Sequence, residues 1–282
     1  MSQPHPYLGA RFRLATHHHK GAIIAPVFRD VLDGVVEEVD CDTDALGTFD
    51  GEIPRRGSPY DTALAKAALI DPDGARGVLA SEGSFSPHPQ SPLITVNTEL
   101  VILRDCVSTR VFVGSAFSTT PHILRRDVGE DDRDLTTWVA RADLASHAVV
   151  VQAVNDDMTV VAKGVQSPEE LTSAIDAARS LSPTGVARVT SDGRAHLNAS
   201  RRDVIALAAR DLADRLLRRC PSCHEPGWGT TGSVSGAPCR DCGSPTAQPW
   251  GQRWACPACG HDEDQIDQEQ RADPARCSWC NP

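Results

Sequence analysis

The chain has 282 residues and a mass of 30.2 kDa, room for about two cores of ordinary size. Hydrophobic residues make up 40% and charged residues 23%, and no stretch approaches the roughly 18 apolar residues of a membrane span. With 28 basic residues against 38 acidic ones the formal charge is -10, a field that repels polyanions, so nucleic acid and membrane are not expected as partners.

In chain order, Arg11–Ala15 alternates as a strand and Ala22–Leu32 repeats apolar residues at helical spacing, with the polar Thr16-His17-His18-His19-Lys20 between them. Val35–Val39 reads as the next strand. The long polar stretch from Asp40 to Gly57 is of the kind that carries function. Ser58-Pro59 opens a helix that Asp71-Pro72 stops, and Gly77–Ala80 is a short buried strand. Leu93–Arg104 and Val107–Val113 pair as strands around Asp105-Cys106, and Gly114–Asp134 reads as a loop with room for one helix. A second unit has strands at His147–Ala153, Thr159–Lys163 and Val186–Thr190, and a helix opened by the Ser167-x-x-Glu170 capping box. Asp203 is expected to cap the last helix, which runs to Arg219. The fold class is thus α/β: a mixed N-terminal region of one or two units, 1–135 and 136–219, followed by a small cysteine-rich region, 220–282.

Eight of the ten cysteines form four C-x-x-C pairs, Cys220/Cys223, Cys239/Cys242, Cys256/Cys259 and Cys277/Cys280. The first two pairs are 15 residues apart and the last two 17, the spacing of four-cysteine zinc sites. Met1–Tyr7 lacks a basic stretch followed by an apolar core, so a cytoplasmic location is expected, where such thiols hold metal instead of forming disulfides. About two structural zinc ions follow, paired sequentially in the first reading, with a crossed pairing of knuckles one and three left open. Gly243 and Gly260, each directly after a knuckle, suit its tight turn. Residues 220–282 carry four basic and eight acidic side chains, a net -4, so this region faces protein in preference to nucleic acid.

Only three of the 28 basic residues are lysines, Lys20, Lys66 and Lys163, which marks them as candidates for specific work. A polar loop between a first strand and its helix is an anion site through free amides and the helix dipole, with Thr16 and Lys20 contacting phosphate and His18 moving a proton. Asp42, Asp44 and Glu52 after a strand, with Arg55 beyond them, are hard oxygen ligands suited to magnesium; the plainer alternative is an aspartate-rich turn. Ser81, Glu82 and Ser84, with His88 behind them, are expected at a strand's C-terminal end, where α/β folds put ligands. Asp192, Arg194, His196 and Asn198 would form a polar row if extended; alternatively Asn198 and Ser200 belong to a turn and cap.

These motifs carry a resemblance. Leu14–Lys20, Asp42–Arg55, Ala80–Pro89, Asp192–Asn198 and the paired knuckles Cys220–Cys280 resemble a bacterial domain-of-unknown-function family, which implies no activity. A weaker similarity is to the inosine triphosphate pyrophosphatases, which carry A-T-x-x-x-x-K, E-N-A-x-x-K-A and A-D-D-S-G in that order. Here Ala15-Thr16 to Lys20, Asp61–Ala67 and Ala80–Ser84 occupy those places. The first lysine comes one residue early, Thr62 stands for asparagine, and one acidic residue of the turn is missing.

Two classes of function follow. In the first, a metal-assisted hydrolase or transferase acts on a phosphorylated small molecule or nucleotide: Asp42, Asp44, Glu52 and Glu82 hold magnesium, Lys20 and Lys66 neutralise phosphate, and His18 or His88 moves a proton. The second is a zinc-stapled adaptor or small-anion sensor that docks to a protein through the tryptophans of its tail.

Overall fold

The structure, a computed structural model, describes residues 4–17, 19–47, 57–88, 91–130 and 135–282, with Asp44 described by its backbone only. The chain divides into two compact units, Gly9–Leu212 and a smaller one made of Ala213–Pro282 with the segment ending at Leu8. The larger unit takes in most of the α/β parts expected at 1–135 and 136–219, and the smaller one all of the cysteine-rich region 220–282. Among the described residues no helix is long and apolar enough to cross a membrane.

The larger unit opens with β1 (Arg11–Thr16), α1 (Gly21–Leu32), β2 (Val35–Asp40), α2 (Pro59–Ala68), β3 (Gly77–His88), β4 (Ser91–Asp105) and β5 (Val111–Ser118). The strands form one sheet in the order β2-β1-β3-β4-β5, with β1 parallel to both β2 and β3 and the rest antiparallel. Ladder partners share a face, so Leu14, Leu79, Leu103 and Phe112 point one way. On that side Phe12 meets Phe28 of α1 edge to face, ring centroids 5.1 Å apart. Ala15, Val78, Ala80 and Ile102 point the other way, against Ala63 and Ala67 of α2. Ser58 caps α2 as expected, in a reciprocal box with Asp61. Helices on opposite faces after β1 and β2 make β1 the switch point of the sheet, the place where α/β folds leave a crevice at the strand ends.

One strand is much longer than expected. β3 does not stop at Ala80 but runs to His88, because β4 pairs with it nearly residue for residue as far as Pro87. Ser81, Glu82 and Ser84 therefore lie within a strand and not at its end. The ladder tolerates a carboxylate there because Glu82 has a cation of its own, described below.

A second sheet, order β6-β9-β7-β8, is built from β6 (Arg125–Val128), β7 (Val149–Ala153), β8 (Val160–Val165) and β9 (Ala187–Ser191), all antiparallel. The segment read as a loop, Gly114–Asp134, thus supplies the end of β5 and all of β6. Two helices, α3 (Leu135–Ala142) and α4 (Pro168–Leu181), cover one face with a core that includes Trp138, Val149, Val151, Leu171, Ile175 and Val189. Ser167 caps α4, accepting from the Glu170 N–H.

The last helix, α5 (Ala199–Leu217), starts four residues before Asp203. Asn198 caps it, its Oδ1 accepting from the Arg201 N–H at 3.0 Å. Val204, Ala208, Leu212 and Leu216 are buried as its periodicity predicts, whereas Leu207 is 59% exposed. Gly114 of β5 lies on the α1 face of the first sheet, where a Cβ would run into the α5 backbone at Ala208 and Leu212; only glycine lets the helix come this close.

The smaller unit contains a three-stranded antiparallel sheet of β10 (Gly229–Ser235), β11 (Pro249–Ala255) and β12 (Asp262–Ile266), in that order.

Candidate functional site

The four knuckles gather into two tetrads, but not sequentially. Cys220 and Cys223 join Cys256 and Cys259, while Cys239 and Cys242 join Cys277 and Cys280, each set with its sulfurs within 4.8 Å of one another. The cause lies in the strands between the knuckles. β10 follows the first knuckle and pairs back along β11, Gly229 opposite Ala255, which carries the chain directly into Cys256. Beyond the hairpin, a bridge between Cys239 and Ala272 brings the second knuckle to the fourth. Counting intervening residues cannot detect this register, so the sequential pairing is corrected to the crossed one.

The sulfur geometry fits a four-thiolate ion. Contacts between knuckles are 3.8 Å for Cys220–Cys259 and 3.7 Å for Cys223–Cys256 in one tetrad, and 3.8 Å for Cys239–Cys280 and 3.6 Å for Cys242–Cys277 in the other. Four sulfurs about 2.3 Å from a tetrahedral ion are about 3.8 Å apart, whereas a disulfide needs about 2.0 Å. The knuckle turns also recur: the fourth residue on donates its N–H to the first cysteine's carbonyl, as His224, Gly243, Gly260 and Asn281 do. Gly243 and Gly260 have positive φ, as expected, and His224 takes the same conformation without being glycine. Both tetrads are therefore compatible with zinc. Four protein thiolates leave no open position on such an ion, so its role would be structural.

The tail tryptophans are not a common exposed surface. Trp228 is 7% exposed, packs in a cluster with Cys220 and Cys256, and stacks on His261 at 5.4 Å; Trp254 joins that cluster under Arg218. Trp279 alone among the tail tryptophans is fully exposed.

The larger unit holds a buried ionic cluster. Lys20, at the start of α1, is 7% exposed and donates to Ser81 Oγ at 3.0 Å. Among the described residues no carboxylate lies within ion-pair distance of it. On the opposite face, Lys66 Nζ sits 2.5 Å from Glu82 Oε2. On the Ser81 face, Arg201 of α5 grips Glu99 of β4 at 2.6 and 3.3 Å and also donates to the Gly193 carbonyl. Gly83 stands opposite Glu99 in the ladder because the Glu99 carboxylate fills the space a Cβ would take. Lys20, Lys66 and Arg201 thus face two carboxylates. Burial, with Lys66 and Arg201 nearby, pulls the Lys20 amine from its ordinary 10.5 down to about 7.

The expected anion site at the N-terminus of α1 is already taken. Glu38 of β2 accepts the Gly21 N–H at 2.7 Å and lies 3.3 Å from His19, so a carboxylate of the chain itself satisfies the helix end. Thr16, buried at the end of β1, and Lys20 remain beside the crevice. Of the proposed magnesium ligands, only Asp42 and Glu82 have described side chains. Glu82 is held by Lys66, and Asp42 accepts from the Ala45 N–H in a turn, the plainer reading. His18, Glu52 and Arg55 lie outside the described residues, as does the Asp44 side chain. His88 is six residues beyond Glu82, about 20 Å along the strand, and lines a separate hollow with Phe117. Ser84 stays on the α2 face of β3, two residues past Glu82.

The polar row after β9 does not form, since residues 195–197 make a turn of 3-10 helix instead of an extended segment. Asp192 folds back onto Arg194 at 2.7 Å, Asn198 caps α5, and His196 points to the surface. Of the three lysines, Lys20 and Lys66 are buried in the cluster and Lys163 is exposed on β8. Sequence reasoning missed Glu99 altogether. Its signal was a single carboxylate at the head of the apolar run Leu100–Leu103.

Comparison with known proteins adds a family. No curated protein matches the chain, and the likeness to inosine triphosphate pyrophosphatases rests on the three motifs alone. A family described as a domain of unknown function, DUF6671, matches residues 67–282, from within α2 through both tetrads and well over half of the chain. The chain belongs to this family of unknown function.

Proposed function

We propose that the larger unit is a hydrolase or transferase that binds the phosphate of a small molecule at Lys20 and Ser81, and that the tail holds two structural zinc ions. The observation that carries the reading is Lys20: a buried amine at the switch point of the sheet, bonded to a neutral hydroxyl, beside two cations whose carboxylates are already engaged. A cation kept out of water without a counter-ion is unfavourable, and a bound phosphate would supply the missing charge. Thr16 and Ser81 offer hydroxyls to the same anion. Magnesium belongs to this proposal through the acidic segment around Asp42, with chemistry of the Lewis-acid kind when bound.

Purified protein assayed with magnesium against phosphorylated metabolites should release phosphate or pyrophosphate, or transfer it. Lys20→Met and Lys66→Met should lower that turnover at least a hundredfold. An absence of turnover across the panel, with phosphate binding unchanged in Lys20→Met, overturns the proposal. Metal analysis should give two zinc ions per chain.

A further inference from the structure

The face of the second sheet opposite its helices carries an ordered grid. Asp127, Arg188, Gln152 and Val160 stand side by side across four strands, with Arg125, Thr190 and Val150 in the next row. A polar outer face is ordinary for an antiparallel sheet facing water. This one does not simply face water. Phe85 of β3, Ile123 and the Gly193–Arg194 turn close over it to form a cleft of about 890 Å³, within the range of small-molecule sites.

The lining specifies a shape. Asp127 grips the Arg188 guanidinium at two points, 2.6 and 2.7 Å, which fixes it as a flat cation on the floor. Phe85, Val150 and Val160 supply apolar surface, and Thr159, Thr190 and Gln152 supply hydrogen-bonding groups. The Arg125 side chain makes no ion pair or hydrogen bond among the described residues. A flat ring with polar edges matches such walls, because guanidinium and aromatic faces stack on it while the amide and hydroxyls meet its edge.

The ionic cluster lies further along the same face of β3. Phe85 and Ser81 lie on the same face of β3, four residues or about 13 Å apart. Glu99 with Arg201 stands between them, and Arg201 bonds to Gly193 of the cleft wall.

We propose that this cleft receives the planar heterocycle of a nucleoside phosphate whose phosphate points along β3 towards Lys20 and Ser81. The inference rests on the proposed anion site and deepens it to a substrate class.

Calorimetric titration of the full chain tests it, using the four common nucleoside 5′-monophosphates, the same nucleosides, ribose 5-phosphate and inorganic phosphate. At least one nucleotide should bind about tenfold or more tightly than ribose 5-phosphate, as stacking on one aromatic allows. Phe85→Ala and Thr190→Arg, with circular dichroism melts matching wild type, should erase that preference and leave ribose 5-phosphate binding unchanged. Nucleotides that bind no better than ribose 5-phosphate overturn the inference while leaving the anion site intact. Nucleosides that bind and are lost in Phe85→Ala, with phosphate not binding at all, support the cleft and overturn the anion site. Failure of every nucleoside and nucleotide to bind overturns the cleft.

Discussion

The tail and the larger unit build their candidate sites in opposite ways. In the tail, ligands come in local pairs two residues apart, and a C-x-x-C turn aims both sulfurs before any tertiary structure exists. In the larger unit, Lys20, Lys66, Glu82, Glu99 and Arg201 come from two helices near the start of the chain, one hairpin and a helix that begins only at Ala199. Local chemistry is visible in a sequence at a glance; chemistry assembled by topology is visible only once the sheet order is known.

The difference predicts unequal responses to damage. The largest effect should come from the tail, where each four-thiolate ion contributes on the order of 10 kcal/mol to folding. Replacing Cys220, Cys223, Cys256 and Cys259 together with serine removes one tetrad and spares the other. Cobalt-substituted protein should then show one tetrathiolate spectrum per chain. Replacing Cys220, Cys223, Cys239 and Cys242 halves both tetrads and should show none. The reverse pattern would restore sequential pairing.

Next in size is the ionic cluster. Arg201→Met leaves the Glu99 carboxylate buried without its partner, and should cost about 3–5 kcal/mol in denaturant unfolding. Arg201→Met with Glu99→Leu should recover most of that loss. A Lys20→Met change should have the opposite sign. Because the native amine titrates near 7 and the unfolded one near 10.5, the unfolded chain binds more protons between those values, so wild-type stability rises with pH across that window. The variant should therefore be more stable than wild type below pH 7, by on the order of 5 kcal/mol, with the gain shrinking towards pH 10. A gain independent of pH would mean that Lys20 is not a charged burden in the native state. The smallest effect, about 1 kcal/mol, belongs to Ser58→Ala, which loses the cap of α2 and touches neither site.

The same contrast explains what could be read from the sequence. Strands and helices with clear periodicity or caps, such as α1, α2 and α4, and all eight knuckle cysteines, were legible because their signals are local. The reach of β3 to His88 was not, because its partner β4 and not its own residues determines where it ends. The zinc pairing was hidden for a related reason, since the register of β10 on β11 decides it. Glu38 at the head of α1 shows how an apparent ligand site can be filled by the chain's own carboxylate. Asp192 and Arg194 looked like a row reaching for a ligand, and satisfy each other instead.

The central claim is that Lys20 is a buried cation awaiting an anion, and sulfate tests it directly because, unlike phosphate, it keeps one charge state across neutral pH. Calorimetry of sulfate binding from pH 6 to 9 should show proton uptake near pH 7, affinity falling as the pH rises above about 7, and no binding in Lys20→Met. Sulfate affinity that stays constant across this range, or survives in Lys20→Met, would contradict the account.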